Sequence, residues 1–338
     1  MVVFDTGATL AERFRSHFGG ASHLYGHAVR GMADDWEAGG PVRDICRGWE
    51  DSPSGTVVQL RLLAGVFRIV LDGRAPELEP FYACLGGTAG PEGVWPVLRE
   101  VLAEHVVELA RGLELAPQTN EPGRSAALLV GIFEAVRQHG LRRVRLLEPG
   151  ASGGLNLLVD RFRYAGVDWT WGPEDSPLLL DTKADRIAPQ DFSVVDRVGC
   201  DVAPVAAHTP AGAAYLTSFV WPWQLHRHER LRAALEVVRQ HPVTVEAAGA
   251  GEWLERRLAD PVDDDVLTIV WQSITRMYWP PEETRRTEAA VAQARSRIPL
   301  AHVTMEHEPG DGPAADAALA VDGRILGLVH PHGIPLWI

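Results

Sequence analysis

A short run of small residues carries the clearest chemical signal in the chain. The run Glu148–Asn156, with the sequence EPGASGGLN, follows an apolar segment predicted to be a strand and opens a segment predicted to be a helix. Strand, glycine turn and helix in this order form the context of dinucleotide- and nucleoside-binding turns. Small residues let a cofactor approach the backbone, and we expect the first helical N–H groups to face its polar atoms.

The acidic residue of this run favours one cofactor over another. Glu148 stands two residues before Gly150, where a carboxylate would repel the pyrophosphate of NAD. S-adenosylmethionine has no phosphate, and its ammonium group attracts a carboxylate. The turn therefore favours S-adenosylmethionine. Its predicted cofactor-binding residues are Glu148, Gly150, Ser152, Gly154 and Asn156.

The run resembles motif I of class I methyltransferases, E/D-x-G-x-G-x-G. Ser152 replaces the middle glycine and Pro149 lies inside the turn. The resemblance implies an α/β fold with a Rossmann-like sheet of the class I methyltransferase type and helices on both faces. The segment Ala317–His330, with a hairpin signal at Asp322–Gly323, resembles the reversed final strand of that fold.

Four residues outside the turn are further candidates for cofactor binding. Asp201 follows the second predicted strand, where a carboxylate can hold ribose hydroxyls, although an N-cap or turn role is an open alternative. Ala250 follows the third strand, where such folds contact adenine. Asn120 and Arg124 precede the first strand. Arg124 can pair with the cofactor carboxylate, or the two residues can be a helix cap and a surface arginine.

Candidate substrate and catalytic residues come from the same half of the chain. Gln272 and Ser273 follow the most apolar strand, and ligands of α/β sheets bind at strand carboxyl ends. Trp221 is a candidate for stacking on a ring, with core packing as the alternative. Methyl transfer needs proximity more than acid–base catalysis, and a base only where the acceptor loses a proton. The candidate bases are His226, Tyr278 and Glu306.

Two His-x-His pairs, His226/His228 and His330/His332, raise the question of a metal. The first pair is predicted at a helix start, where residues two apart do not converge, and the second in a turn. Without a nearby cysteine pair, neither predicts a metal site.

Composition limits the classes of partner. The net charge is −13 and one lysine accompanies 31 arginines without a basic run, which argues against nucleic-acid substrates. Three widely spaced cysteines indicate a reducing compartment. The first 18 residues do not resemble a signal peptide, and no apolar run approaches the roughly 18 residues that span a bilayer. We expect a cytoplasmic protein with a small-molecule substrate and no membrane partner.

Two regions are predicted along the chain. Residues 1–118 are expected to be helical, as a lid or substrate wall, with one long helix over Val94–Leu115. Residues 119–338 alternate strands and helices, with an insertion at about 166–190. Within them we expect a helix over 119–140, with Asn120 as N-cap, and a helix over Gly153–Tyr164.

Several phrases spread over 119–333 also resemble an uncharacterised bacterial family, domain-of-unknown-function family 2332 (DUF2332), which brings no established reaction. The first hypothesis is a methyltransferase that uses S-adenosylmethionine on a small molecule. The alternatives are a non-catalytic S-adenosylmethionine-binding or sensor protein and an NAD-type oxidoreductase. The phrases are Thr119–Glu121, Arg124–Ser125, Glu148–Leu158, Arg197–Asp201 with Pro204, Val220–Pro222 and His330–Gly333.

Overall fold

The computed structural model of the protein describes residues 8–18, 20–308, 310 and 314–338. The chain divides into two compact units. The helical unit comprises the chain up to Thr119 together with 214–229, and the sheet unit comprises 120–213 together with 230–338. Residues 1–7, part of the segment predicted not to be a signal peptide, lie outside the described residues.

The helical unit has one buried core made by the apolar faces of its helices. Its largest fully buried side chains include Phe14, Met32 and Phe67. The single helix predicted over Val94–Leu115 is wrong, because His105 leaves helical geometry at φ −110° and ψ 22°. The helices are α1 (Leu10–Phe18), α2 (Leu24–Glu37), α3 (Pro41–Ile45), α4 (Val58–Leu71), α5 (Val94–Glu104) and α6 (Val106–Gly112).

The described residues of the sheet unit form eight strands in one sheet and three in a smaller one. The order in the large sheet is β6-β5-β1-β7-β8-β9-β10-β11. The first five are parallel, whereas β9, β10 and β11 each run antiparallel to the strand before them in this order. The large-sheet strands are β1 (Arg143–Pro149), β5 (Ser193–Asp201), β6 (Val245–Ala247), β7 (Val266–Ser273), β8 (Leu300–Glu306), β9 (Ala317–Val321), β10 (Arg324–Val329) and β11 (Leu336–Trp337).

Helices cover both faces of this sheet. On one face α7 (Ser125–His139) lies so close to β8 that a Cβ on Gly131 would come within 2.2 Å of Val303 Cγ1. On the other face, Trp253 of α10 (Ala250–Ala259) and Val291 of α11 (Pro281–Ala294) share a core with β7. Every residue of β7 is buried, as expected of a central parallel strand. The prediction of an α/β fold with a largely parallel sheet flanked by helices is confirmed.

The helix predicted over Gly153–Tyr164 is wrong. Gly154 adopts left-handed geometry, and a short 3₁₀ segment over Leu155–Arg161 follows, interrupted at Leu158. The chain then enters the small sheet, of order β3-β2-β4, which accounts for part of the predicted insertion. Its strands are β2 (Arg163–Ala165), β3 (Thr170–Trp171) and β4 (Leu179–Asp181).

Two further helices, α8 (Pro210–Ser218) and α9 (Leu225–Gln240), run across the division between the units. The sequence pattern does not predict α8, and 214–229 belongs to the helical unit and not to the second of the two predicted regions, 119–338. Of the helices in the described residues, none is both long and apolar enough to cross a bilayer.

Candidate functional site

The glycine turn after β1 is held by the neighbouring strand β5. Gly150 N and Ala151 N both donate to the Cys200 carbonyl, at 2.8 and 2.9 Å. Ser152 N donates to Asp201 Oδ2 at 2.9 Å. Ser152 adopts a positive φ of 53°, a geometry that costs a non-glycine residue energy. Asp201 thus stabilises the turn, and its predicted role toward a ribose stays a prediction.

Asn120 closes the second half of the same turn. Its Oδ1 accepts hydrogen bonds from Gly153 N at 3.1 Å and Leu155 N at 3.0 Å. Gly154 N donates to the Ala151 carbonyl at 2.7 Å. Each amide from Gly150 to Leu155 therefore has a partner within the chain. The expectation that unpaired helical N–H groups face a cofactor here is wrong, because no regular helix follows and the chain itself occupies these donors.

Asn120 was also predicted to be the N-cap of the helix before β1. That prediction is wrong, because α7 begins at Ser125 with Arg124 as its N-cap residue. The Glu121 carboxylate instead accepts from Gly123 N at 3.2 Å in the 3₁₀ turn that leads into α7. The Asn120 side chain does accept hydrogen bonds from backbone amides, as a capping residue would, but these amides belong to a turn 33 residues further along the chain.

Glu148 and Asn156 form a buried polar pair at the carboxyl end of β1. Glu148 is 3% exposed and Asn156 is 2% exposed. Asn156 Nδ2 donates to Glu148 Oε1 at 3.4 Å, whereas Glu148 Oε2 and Asn156 Oδ1 have no hydrogen-bond partner. Burial raises the pKa of Glu148 to about 8, although Asn156 and Arg124 oppose the rise. The Trp271 side chain also lowers the pKa of Glu148, so its indole N–H lies near the carboxyl group, although Trp271 Nε1 makes no well-formed hydrogen bond. The pair therefore has two acceptor oxygens without a well-formed hydrogen bond.

Arg124 joins this pair to the end of β7. Its Nη1 donates to the Ser273 carbonyl at 3.0 Å and its Nε to the Pro331 carbonyl at 2.9 Å. Because it lowers the pKa of Glu148, its guanidinium lies within electrostatic reach of that carboxyl group. Arg124, Glu148 and Ser273 thus meet at the carboxyl ends of β1 and β7.

The turn His330–Gly333 packs tightly against the segment that precedes α7. Gly333 has a φ of +83°, and a Cβ there would lie 2.1 Å from the Gly123 carbonyl carbon. Arg230 Nη1 donates to the His332 carbonyl at 3.1 Å and to Glu121 Oε1 at 3.0 Å. The turn therefore helps to position Arg124. Within the described residues, no three His, Cys, Asp or Glu side chains are grouped to hold a metal ion.

A second polar group lies at the ends of β7 and β8. The partly buried His302 contacts Gln272 Oε1 through Nε2 at 3.0 Å, and desolvation lowers the pKa of His302 to about 4. Gln272 Nε2 donates in turn to Glu306 Oε1 at 3.1 Å. The same Glu306 oxygen accepts from Thr275 N and Oγ1, both at 3.2 Å, and from Arg276 N at 3.3 Å. Glu306 thus fixes the loop after β7.

The two polar groups, one around Glu148 and the other around Gln272, project from opposite faces of the sheet. Val270 belongs to the core under α10 and α11, so Gln272 projects to that side and Trp271 to the side of α7. Leu147 belongs to the same core, so Glu148 projects toward α7.

The other predicted site residues lie elsewhere. Tyr278 is 75% exposed. Ala250 is the buried first residue of α10, beside a Gly251 N that donates to Glu283 at 2.9 Å. His226 is exposed on the part of α9 that belongs to the helical unit. Their functional roles stay predictions.

Trp221 also belongs to the helical unit, where it lies in an aromatic cluster. Its ring centroid is 5.2 Å from that of Phe18 and 5.4 Å from that of Trp223, on which His23 stacks at 3.9 Å. The contacts are those of core packing, and stacking on a substrate stays a prediction.

Sequence reasoning missed Thr275, His302 and Arg230. The apolar alternation of β8 included His302 without marking it as a partner of Gln272. Arg230 occupies an ordinary position on α9, so only its carboxylate partner reveals its importance. The phrase His330–Gly333 was noted, but nothing in it indicated contact with Gly123.

Comparison with protein families identifies a match over nearly the whole chain. No protein of curated function shows significant sequence similarity to the chain. A family model described as an uncharacterised protein conserved in bacteria, DUF2332, matches residues 9–337 and so covers both units. The chain therefore belongs to the bacterial protein family DUF2332.

Proposed function

We propose that the sheet unit binds S-adenosylmethionine at the carboxyl ends of β1 and β7 and transfers its methyl group to a small molecule. The observation that carries the proposal is the buried pair of unpartnered acceptors, Glu148 Oε2 and Asn156 Oδ1. Buried polar atoms almost always have partners in native proteins. Two acceptors without donors therefore favour a ligand that brings N–H groups to this point.

The charges around the pair favour an amino-acid group. A cation beside Glu148 would stabilise its ionised form, which burial alone disfavours. Arg124 lies within electrostatic reach of Glu148, and its positive charge suits a carboxylate. Its Nε and Nη1 already donate to the Pro331 and Ser273 carbonyls. Glu148 with Asn156 would hold the ammonium group of the methionine part, and Arg124 would orient its carboxylate.

The position in the sheet supports the same site. The parallel strands in the order β6-β5-β1-β7-β8 follow the 3-2-1-4-5 order of nucleotide-binding sheets. In such sheets ligands bind at the carboxyl ends of the strands, where the strand order reverses. That point lies between β1 and β7, beside Glu148 and Ser273.

When bound, the sulfonium of this cofactor supplies an activated methyl group. Methyl transfer is an in-line displacement, so the chain must chiefly hold the acceptor in line and exclude water. Gln272 and Ser273, at the end of β7, are the proposed substrate-binding residues. His226, Tyr278 and Glu306 are the proposed candidates for a base.

A non-catalytic binding protein is the second candidate. The contacts of Glu306, one of the proposed bases, favour this candidate. Glu306 Oε1 already accepts hydrogen bonds from Thr275 and Arg276, so this oxygen is less available to take a proton from an acceptor. Conversion of bound S-adenosylmethionine to its demethylated product in the presence of an acceptor would separate the two.

Calorimetric titration with S-adenosylmethionine and its demethylated product tests the proposal. We expect both to bind, and Glu148→Gln to weaken both strongly. Glu255→Gln is the matched control, because Glu255 pairs with Arg286 on the surface. A substitution in the turn itself, such as Gly150→Asp, is unsuitable as a test of binding. A Cβ at Gly150 would lie 2.5 Å from Thr275 Cγ2, so the variant would disturb the fold of the turn. Absence of binding by the wild-type protein would refute the proposal, and binding of NADH instead would favour the oxidoreductase.

A further inference from the structure

A buried guanidinium lies in the sheet unit away from the carboxyl ends of the strands. Arg145, the third residue of β1, is 6% exposed, and its Nε and Nη2 are buried without a hydrogen-bond partner. Neither atom can lose its proton at neutral pH, because arginine stays charged. Buried donors of this kind call for an acceptor such as an ordered water or an ion.

A second unpartnered group lies beside Arg145. Thr268 of β7 is its direct register partner, is fully buried, and its Oγ1 has no hydrogen-bond partner. Side chains two residues apart on a strand share a face, so Arg145 lies on the side of Leu147 and Thr268 on that of Val270. Leu147 and Val270 both belong to the core under α10 and α11. The two polar groups therefore lie side by side on one face of the sheet.

The charges near Arg145 come from α10, from the segment after it and from β5. Burial lowers the pKa of Arg145 most, Asp196 and Asp260 oppose that effect, and Arg257 adds to it. Asp260 also contacts Arg257 Nη1 at 3.5 Å, and Asp196 is exposed. The Nε of Arg257 is a further buried donor without a partner.

The unpartnered atoms select the kind of occupant. The arginine nitrogens only donate, and Thr268 Oγ1 is the one group among them that can also accept. A water molecule must donate two hydrogen bonds as well as accept, and among these atoms only Thr268 Oγ1 could accept one. An anion only accepts hydrogen bonds and so matches the unpartnered donors better. Asp196 and Asp260 contribute negative charge nearby and would repel a doubly charged anion more than a singly charged one. The expected occupant therefore carries one negative charge.

We propose that Arg145 and Thr268 bind a small monovalent anion, a halide or a formate-sized carboxylate, on the face of β1 and β7 that α10 and α11 cover. The site is separate from the proposed cofactor site, because Arg145 and Glu148 project from opposite faces of β1. The anion supplies the acceptor that the folded chain lacks, so its binding stabilises the fold.

Thermal unfolding of the full chain at constant ionic strength tests this site, with sodium chloride, sodium formate or sodium gluconate as the salt. Gluconate, a much larger monovalent anion, serves as reference. We expect chloride or formate to raise the wild-type midpoint by about 2 °C once the anion exceeds its Kd about tenfold. Arg145→Met, which keeps the apolar stem, should abolish the difference between salts, and Thr268→Val should reduce it.

Arg143→Met is the matched control on the same strand, because Arg143 pairs with Asp265 on the surface and its variant should retain the full chloride response. Equal wild-type midpoints in all three salts would overturn the proposal. Crystals of the wild-type protein soaked in sodium bromide give a second readout that needs no variant. An anomalous peak beside Arg145 and Thr268 supports the site, and its absence overturns it.

Discussion

Replacing Glu148 by glutamine should make the protein more stable in mildly alkaline solution than the wild type. Glu148 is buried beside Asn156, and one of its oxygens has no partner. Its pKa rises from an ordinary value of 4.5 to about 8, chiefly because burial disfavours the charged form. Glutamine has the same shape, can keep the contact with Asn156 and never ionises.

The size of the effect follows from proton linkage. Because the folded state holds this proton more tightly than the unfolded state, the wild-type free energy of unfolding falls as pH rises from about 4.5 to about 8, and levels off above. Each pH unit in this window costs ~1.4 kcal/mol, so the whole loss is about 5 kcal/mol. Between pH 5 and pH 8.5 the variant should gain about 4 kcal/mol on the wild type.

Urea unfolding of both proteins at several pH values between 5 and 8.5 measures this difference directly, since other titrating groups contribute equally to both. Glu255→Gln is the control. Its carboxylate pairs with Arg286 at the surface, which lowers its pKa, so no widening difference is expected in this pH range. Parallel pH profiles for wild type and Glu148→Gln would refute the reasoning and mean that Glu148 is ionised with partners of its own.

Three further predictions concern the same unit. Asn120→Ala removes the acceptor of two turn amides and should cost ~2 kcal/mol of unfolding free energy, measured in urea, whereas Asn120→Asp should cost less. Gly333→Ala should lower the thermal midpoint far more than Gly323→Ala. Both glycines have positive φ, but a Cβ on Gly333 would lie 2.1 Å from the Gly123 carbonyl carbon, whereas one on Gly323 would meet nothing within 4 Å. Binding of S-adenosylmethionine at pH 7 should release nearly one proton from Glu148, as shown by calorimetry in buffers of different ionisation enthalpy.

The strands of the sheet unit were predictable because the residue pattern of each segment matches the burial and pairing that the segment has in the sheet. The apolar run at Val266 is long enough for one strand and too short for a typical helix, and it became the central β7. The hairpin of β9 and β10 followed from Asp322–Gly323. The breaks that were missed, at His105 and Leu158, carry neither proline nor glycine, so no local signal marks them.

The site was only partly predictable, because its contacts join distant parts of the chain. Asn120 was correctly identified as a residue that accepts from backbone amides, but propensity rules assign such acceptors to the adjacent helix. Its actual partner, the turn at Gly153, is set by tertiary packing. The buried position of Glu148 next to Asn156 likewise depends on a 3₁₀ segment that replaced the expected helix.

The pairing of every amide from Gly150 to Leu155 has a consequence for the dynamics of the protein. A loop whose backbone donors are already satisfied is preorganised, so a ligand need not immobilise it on arrival. The conformational entropy of this segment is lost during folding rather than during binding. Its amide protons should therefore exchange slowly with deuterated solvent before any ligand is added, and recognition should depend on the side chains around the turn rather than on its backbone.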